Sequence, residues 1–279
     1  MAYDTEKGRF LSALREFLNT LSGQISHDNQ WTMRGFIDIF KNVYGLSADT
    51  KVISKALELH LFPLFLDFAE KTGYRMEPAS HQNWYPDLSF ISKADGGVKF
   101  AVDLKTTYRD EKYPDFCNGF TLGSHGEYFI DRNSTKNVQY PYGAYAGHFC
   151  VGIIYSRGGG AQEAAKKVYK LEEVGGIPAV VENFTFFVQE KWRIAGDKQG
   201  SGNTANIGSV TYIDDLVNGN GVFANAGEDL FHDYWANFGK MEVPGKNGAY
   251  QKLSSFGAYL RYRGLPESLN NPPKTRRRR

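Results

Sequence analysis

Between Val98 and Thr107 apolar and polar side chains alternate: Val-Lys-Phe-Ala-Val-Asp-Leu-Lys-Thr-Thr. An extended strand satisfies such a run, because successive side chains leave it on opposite faces. Phe100, Val102 and Leu104 then share one face, and Ala101, Asp103 and Lys105 the other. A carboxylate and an ammonium therefore project side by side. A second apolar run over 88–91 precedes it, with Asp87 at its start after Pro86, and Asp95-Gly96-Gly97 between the runs reads as a hairpin turn. Antiparallel pairing across that turn brings Asp87 near Asp103.

Two adjacent carboxylates repel each other unless a cation lies between them. Oxygen donors in a partly hydrated site suit Mg²⁺, which also takes phosphate oxygens. A lysine beside that ion can stabilise a charged phosphoryl transition state or help to activate water. The same three residues also make an ordinary ion pair on a solvated sheet face. Spacing alone does not select the pair. Tyr113-Pro114-Asp115 repeats Tyr85-Pro86-Asp87, and Asp131 follows it at the same interval, but without the lysine and without alternating flanks. That second copy reads as loop.

The residues around the first copy resemble a known family. Pro86-Asp87 followed by Asp103-Leu104-Lys105 is similar to the PD-(D/E)xK nuclease motif. Gln82-Asn83 before Tyr85-Pro86-Asp87, then Lys105-Thr106-Thr107-Tyr108, and later Ala195-Gly196-Asp197 leading into Gly200-Ser201-Gly202-Asn203-Thr204, resemble the EcoRV-like type II restriction endonucleases. The similarity runs from about Asp49 to about Arg263. The acid–lysine motif is weak by itself. The string from Lys191 to Gly208 in register with it is specific.

The resemblance implies an α/β fold with a mixed central β-sheet flanked by helices. It implies a homodimer that hydrolyses double-stranded DNA at a palindrome, with Mg²⁺ as cofactor and Mn²⁺ as a substitute. Two equivalent half-sites match a two-fold protein axis. GATATC, cut bluntly at its centre, is the first expectation, and a cognate DNA methyltransferase is expected in the host. Asp87 and Asp103 would hold metal, joined at that metal site by Glu58 as an auxiliary acid and ligand, and Lys105 would orient water and stabilise charge. Gln82 and Asn83 match a loop that approaches the minor groove. Thr106 and Thr107 would lie at the DNA edge, and Lys136 near a phosphate. Gly200, Ser201, Gly202, Asn203, Thr204 and Asn206 would form the base-reading loop over 196–206. Bare glycine backbone can enter a groove that side chains would block. An Asn amide can pair with an adenine edge and a Thr methyl can meet a thymine methyl. Read without the resemblance, the same loop is plain Gly/Asn-rich surface.

Charge neither demands nor excludes a nucleic-acid partner. The net charge of +2 becomes about −3 once Lys274 and Arg276 to Arg279 are set aside. DNA binding must then rest on a local basic cleft with metal. Two cysteines without a CxxC pair, and no secretory leader, point to the reducing cytoplasm. No apolar run reaches membrane-spanning length, and six scattered histidines argue against structural zinc. Aromatics at 15% favour a sheet-rich core.

Residues 1–268 read as one catalytic and DNA-binding domain, and 269–279 as a disordered basic tail. Helical spacing predicts helices over 6–21, ended by Gly23, and over 50–72, where Pro63 must kink or break the helix and Gly73 stops it. Residues 36–46 read as a hairpin, by resemblance a dimerisation element. Residues 145–155 and 184–194 read as strands. Residues 161–174, 228–238 and 253–262 read as helices. Two rival functions remain within reach of the residues. One is a structure-specific nuclease with the same acids and lysine, and the other a DNA-binding protein that has lost catalysis. A two-carboxylate glycosidase fits the neighbouring lysine less well.

Overall fold

A computed structural model describes residues 2–202, 205–245 and 249–275. Asn203 and Thr204, both expected to read bases, lie outside the described residues, as do Arg276 to Arg279. The centre is a seven-stranded mixed sheet in the order Ser26–His27, Gln30–Trp31, Val181–Glu190, Gly147–Arg157, Lys99–Tyr108, Leu88–Ser92, Tyr74–Pro78. Its neighbours are antiparallel except the central pair, Lys99–Tyr108 beside Gly147–Arg157, which is parallel.

The expected alternation of the motif strand sorts its side chains between two cores. Phe100, Val102 and Leu104 pack under the helices Ala2–Ile25 and Thr50–Thr72. Phe10 of the first helix stacks on Phe100 with ring centres 4.5 Å apart. Asp49 caps the second helix by accepting the N–H groups of Lys51 and Val52, and Gly73 closes it in the left-handed region. On the opposite face Ala101, Cys150, Ile154 and Phe187 meet an aromatic layer, including Phe231, Tyr234 and Trp235 of the helix Glu228–Asn237. Those aromatics are packing, as burial of so much ring area favours.

Several expectations need correction. The first helix continues through Gly23 to Ile25, because Leu21 and Ile25 are both fully buried and gain a further apolar turn. The second helix runs without a break through Pro63. The carbonyl deprived of a partner belongs to Leu59, which is exposed, so water can take the missing donor's place. Residues 161–174 are not one helix. After one turn at Ala161–Ala164, Val168–Lys170 pairs with Asn42–Gly45, and a 3₁₀ segment covers Leu171–Gly176. The hairpin Gly35–Ile37/Asn42–Gly45 thus belongs to a separate three-stranded sheet. The strand expected over 184–194 ends at Glu190 and turns into the short helix Lys191–Ile194. The last helix begins at Phe256, capped by Ser255. The tail is ordered further than expected: Asn271 donates its side-chain amide to the carbonyls of Asn220 and Gly221. No helix among the described residues is long and apolar enough to cross a membrane.

Candidate active site

The turn over 95–98 closes as the sequence suggests, with the Val98 N–H donating to the Asp95 carbonyl. It sets Leu88 opposite Val102 and Ser89 opposite Ala101. One step further along this register Asp87 meets Asp103. The Asp87 backbone N–H donates to Asp103 Oδ1 at 3.3 Å, and the Leu104 N–H donates to Asp87 Oδ2 at 2.8 Å. Lys105 Nζ lies 3.4 Å from Asp87 Oδ2 and 3.4 Å from Asp103 Oδ2. The ammonium therefore bridges both acids.

Asp103 is buried, whereas the Asp87 side chain keeps 39% of its surface. Burial and the Asp103 charge push the Asp87 carboxyl above the usual carboxylate range, against the pull of Lys105. The two acids hold the Lys105 ammonium above its ordinary value despite its burial. One ammonium thus leaves the acid pair short of positive charge. Two carboxylates facing an open hollow suit Mg²⁺, which keeps several waters and takes phosphate oxygens as further ligands. No group of three His, Cys, Asp or Glu side chains close enough to hold a metal occurs among the described residues.

Two adjoining hollows meet at these residues. One, of about 490 Å³, is lined by Gln82, Asn83, Asp87, Asp103, Lys105 and Lys136, among others. The other, of about 470 Å³, shares Asp87 and Lys105 and adds Glu58, Thr106, Thr107, Thr121 and Ser201. Gly123 lines both. A larger hollow of about 1050 Å³, between Tyr113 and Pro272 to Thr275, contains none of the expected site residues.

Each wall has an identifiable support. The Gln82–Asn83 loop is laced to the segment that follows Lys136: Tyr85 N–H donates to the Asn137 carbonyl, and Gln139 N–H to the Tyr85 carbonyl. The Tyr85–Pro86 peptide is cis. Lys136 pairs with Glu127 at 2.7 Å on the exposed rim. Glu58 projects from its helix toward the second hollow and pairs with Lys55. Its charge is felt at Asp87, but it stands apart from the acid pair. Thr107 is buried and Thr106 partly so. The second Tyr-Pro-Asp copy lies in loop: Asp115 is exposed, and Asp131 accepts the Asn133 N–H.

The Gly-rich segment is more ordered than a loop over 196–206. Ala195–Gln199 and Asn206–Ser209 form a ribbon, and Thr121–Ser124 adds a third strand. Gly200 N–H donates to the Asn206 carbonyl at 2.8 Å, and the Asn206 side chain donates to the Ser201 carbonyl at 2.8 Å. Gly202 has a φ of +88°, which glycine adopts without cost. The strand that borders this ribbon carries Gly123 and Ser124 into the first hollow. Ribbon and acid pair are thus linked through one short strand.

Two residues that the sequence does not single out complete the site. Lys191 is buried under it, with its ammonium 4.0 Å from the centre of the Tyr85 ring. Burial lowers its pKa to about 8, partly opposed by Asp103. Tyr128 lines the first hollow and stacks nearly parallel on Tyr85, at an angle of 9°. A side chain at Gly123 would meet both, with Lys191 Nζ and the Tyr128 hydroxyl each 3.4 Å from its Cβ. In sequence Lys191 falls inside an expected strand and Tyr128 in a stretch with no assigned element, and neither is marked as part of the site. Only the fold reveals otherwise.

The family model described as restriction endonuclease EcoRV matches residues 27–264. The type II restriction enzyme EcoRV of Escherichia coli is 35% identical over 255 residues, covering 91% of this chain and 99% of that protein.

Proposed function

The chain belongs to the EcoRV family of type II restriction endonucleases, DNA-cleaving hydrolases, and on that premise we propose that it is a homodimer making a Mg²⁺-dependent double-strand cut at a short palindrome. The observation that carries this reading is the continuity of the cleft. Asp87 and Lys105 line both hollows, one beside Gln82, Asn83 and Lys136, the other beside Ser201 of the Gly-rich ribbon. Phosphate chemistry and base reading are thereby within reach of one duplex.

Asp87 and Asp103 would hold the divalent ion, which when bound supplies Lewis acidity toward the phosphodiester. Lys105, fixed between both acids, would orient the attacking water and stabilise charge developing on the phosphoryl oxygens. Glu58 would adjust the field at Asp87 from the neighbouring helix. Lys136 would leave Glu127 for a backbone phosphate, a contact that positions DNA without reading it. Thr106 and Thr107 would border the DNA. The ribbon residues Gly200, Ser201, Gly202 and Asn206, with Asn203 and Thr204 between them in sequence, would enter the major groove, while Gln82 and Asn83 approach the minor groove.

The dimer reading is supported by apolar exposure on the outer hairpin. Phe36, Ile37, Ile39, Phe40 and Tyr44 are all exposed, with Ile39 at 90%. Exposed apolar side chains concentrated on one short hairpin mark an association site more often than bare solvent contact. Residues 1–268 would act as one catalytic unit. The enzyme would work in the cytoplasm, with a host methyltransferase protecting the same site. GATATC cut to blunt ends is the first sequence to test. Digestion of a plasmid of known sequence with Mg²⁺, followed by sequencing of the ends, gives site and cut position together. Blunt ends within one palindrome support the reading. An intact plasmid, or cutting at branched DNA without sequence preference, overturns it.

A further inference from the structure

We propose that the Tyr128 hydroxyl is a hydrogen-bond donor to a non-bridging phosphate oxygen of the DNA backbone in the catalytic cleft. This rests on the DNA-cleaving reading above and adds a substrate-contacting residue to it. Tyr128 lines the same hollow as Asp87, Asp103 and Lys105 and is only partly exposed. Its ring is held face to face with Tyr85 at 5.5 Å. Its hydroxyl accepts the Ser124 N–H at 3.3 Å. A hydroxyl has one proton to give, and among the described residues no acceptor takes it. The oxygen is thus oriented by a donor while its own proton is left for a ligand.

The neighbouring charges say which ligand. Lys105 is already shared between two acids, and Lys136 is engaged by Glu127 on the rim. Neither is free to meet an incoming phosphate without giving up a partner. Tyr128 loses none. Burial and the Asp103 charge raise its pKa to about 12, so the phenol remains a donor throughout the neutral range. A buried ammonium shares its surroundings, since Lys191 Nζ and the Tyr128 oxygen each stand 3.4 Å from the position a Cβ on Gly123 would take. A neutral donor backed by a cation suits a phosphate monoanion and repels no nearby carboxylate.

The test is a cycle between protein and substrate. Single-turnover cleavage is measured for the unaltered enzyme and for Tyr128→Phe, which keeps the stacked ring. The DNA is natural, or carries one uncharged methylphosphonate at each phosphate flanking the cut in turn, or either phosphorothioate stereoisomer at the cut itself. On natural DNA the variant should be about 10- to 100-fold slower, the loss expected of a hydrogen bond to a charged group. At one phosphate the modification should slow the unaltered enzyme strongly and the variant little. The comparison of natural with modified DNA is internal to each protein, so a partly unfolded variant does not spoil it. Losses that multiply at every phosphate, or a variant as fast as the unaltered enzyme, would overturn the inference. Failure of the unaltered enzyme to cut any DNA would instead overturn the reading on which it rests.

Discussion

The backbone N–H of Asp87 donates to the carboxylate of Asp103 across the hairpin, at 3.3 Å. Backbone register, not side-chain flexibility, therefore sets how close the two acids lie. Glu58 has no such tether to them. It sits on a helix and pairs with Lys55. Glu58→Ala should consequently slow cleavage less than Asp103→Ala. Single-turnover rates at saturating Mg²⁺ check this, with melting curves to compare folding. Equal losses in two well-folded variants would contradict an auxiliary role.

Lys191 makes a prediction about stability that does not involve DNA. Its folded pKa of about 8 lies below the ordinary 10.5. Below pH 8 the lysine is charged in both states, and burying that charge opposes folding. Between about 8 and 10.5 the unfolded chain binds more protons, so the penalty fades as pH rises. Lys191→Met should therefore be more stable than the unaltered protein at pH 7, by roughly 3 kcal/mol. The gap should close toward pH 10.5. Urea unfolding at the two pH values measures it, and a gap that stays constant would refute the buried charge.

The Gly-rich ribbon depends on close backbone approach at Gly208. A Cβ there would fall 2.7 Å from the Lys198 carbonyl oxygen and 3.1 Å from the Gly200 nitrogen. Both are backbone atoms of the facing arm, so neither can rotate away. Gly208→Ala should spread the arms and lower stability by about 1–3 kcal/mol. It should also relax discrimination between the preferred site and sites one base pair removed. Melting curves and competitive digestion of the two substrates read the two effects separately.

The outer hairpin gives a prediction about assembly. Ile39 and Phe40 are 90% and 76% exposed in the single chain. Charges placed there, as in Ile39→Lys with Phe40→Lys, should leave the fold intact and shift sedimentation from the proposed dimer toward monomer. An unchanged dimer would move the interface elsewhere.

How much of this was legible in the residues follows from the range of the forces involved. The motif strand could be read because its alternation is local and each face meets a different core. The Asp87–Asp103 pairing followed from that strand and the Asp95-Gly96-Gly97 turn before it. Val168–Lys170 could not be read as a strand, because three residues acquire that form only from their distant partners at Asn42–Gly45. Pro63 misleads for the opposite reason: the local rule is sound, but Leu59, whose carbonyl loses its partner, lies on the exposed side of the helix, which lowers the cost. Lys191 and Tyr128 were missed because burial of a charge and orientation of a hydroxyl are properties of three-dimensional surroundings. The ribbon arms at Ala195–Gln199 and Asn206–Ser209 escaped notice because glycine and asparagine carry no strand preference.

The claim on which all this depends is that Asp103, joined to Asp87 and Lys105, drives hydrolysis of the DNA backbone. Plasmid cleavage in Mg²⁺ by Asp103→Ala, set beside the unaltered enzyme, tests it most directly. A variant with the same melting curve should be slower by at least about 100-fold, the scale set by removing a key electrostatic group from an active site. A folded Asp103→Ala protein that cuts at the original rate would show that the acid pair is not where the chemistry occurs.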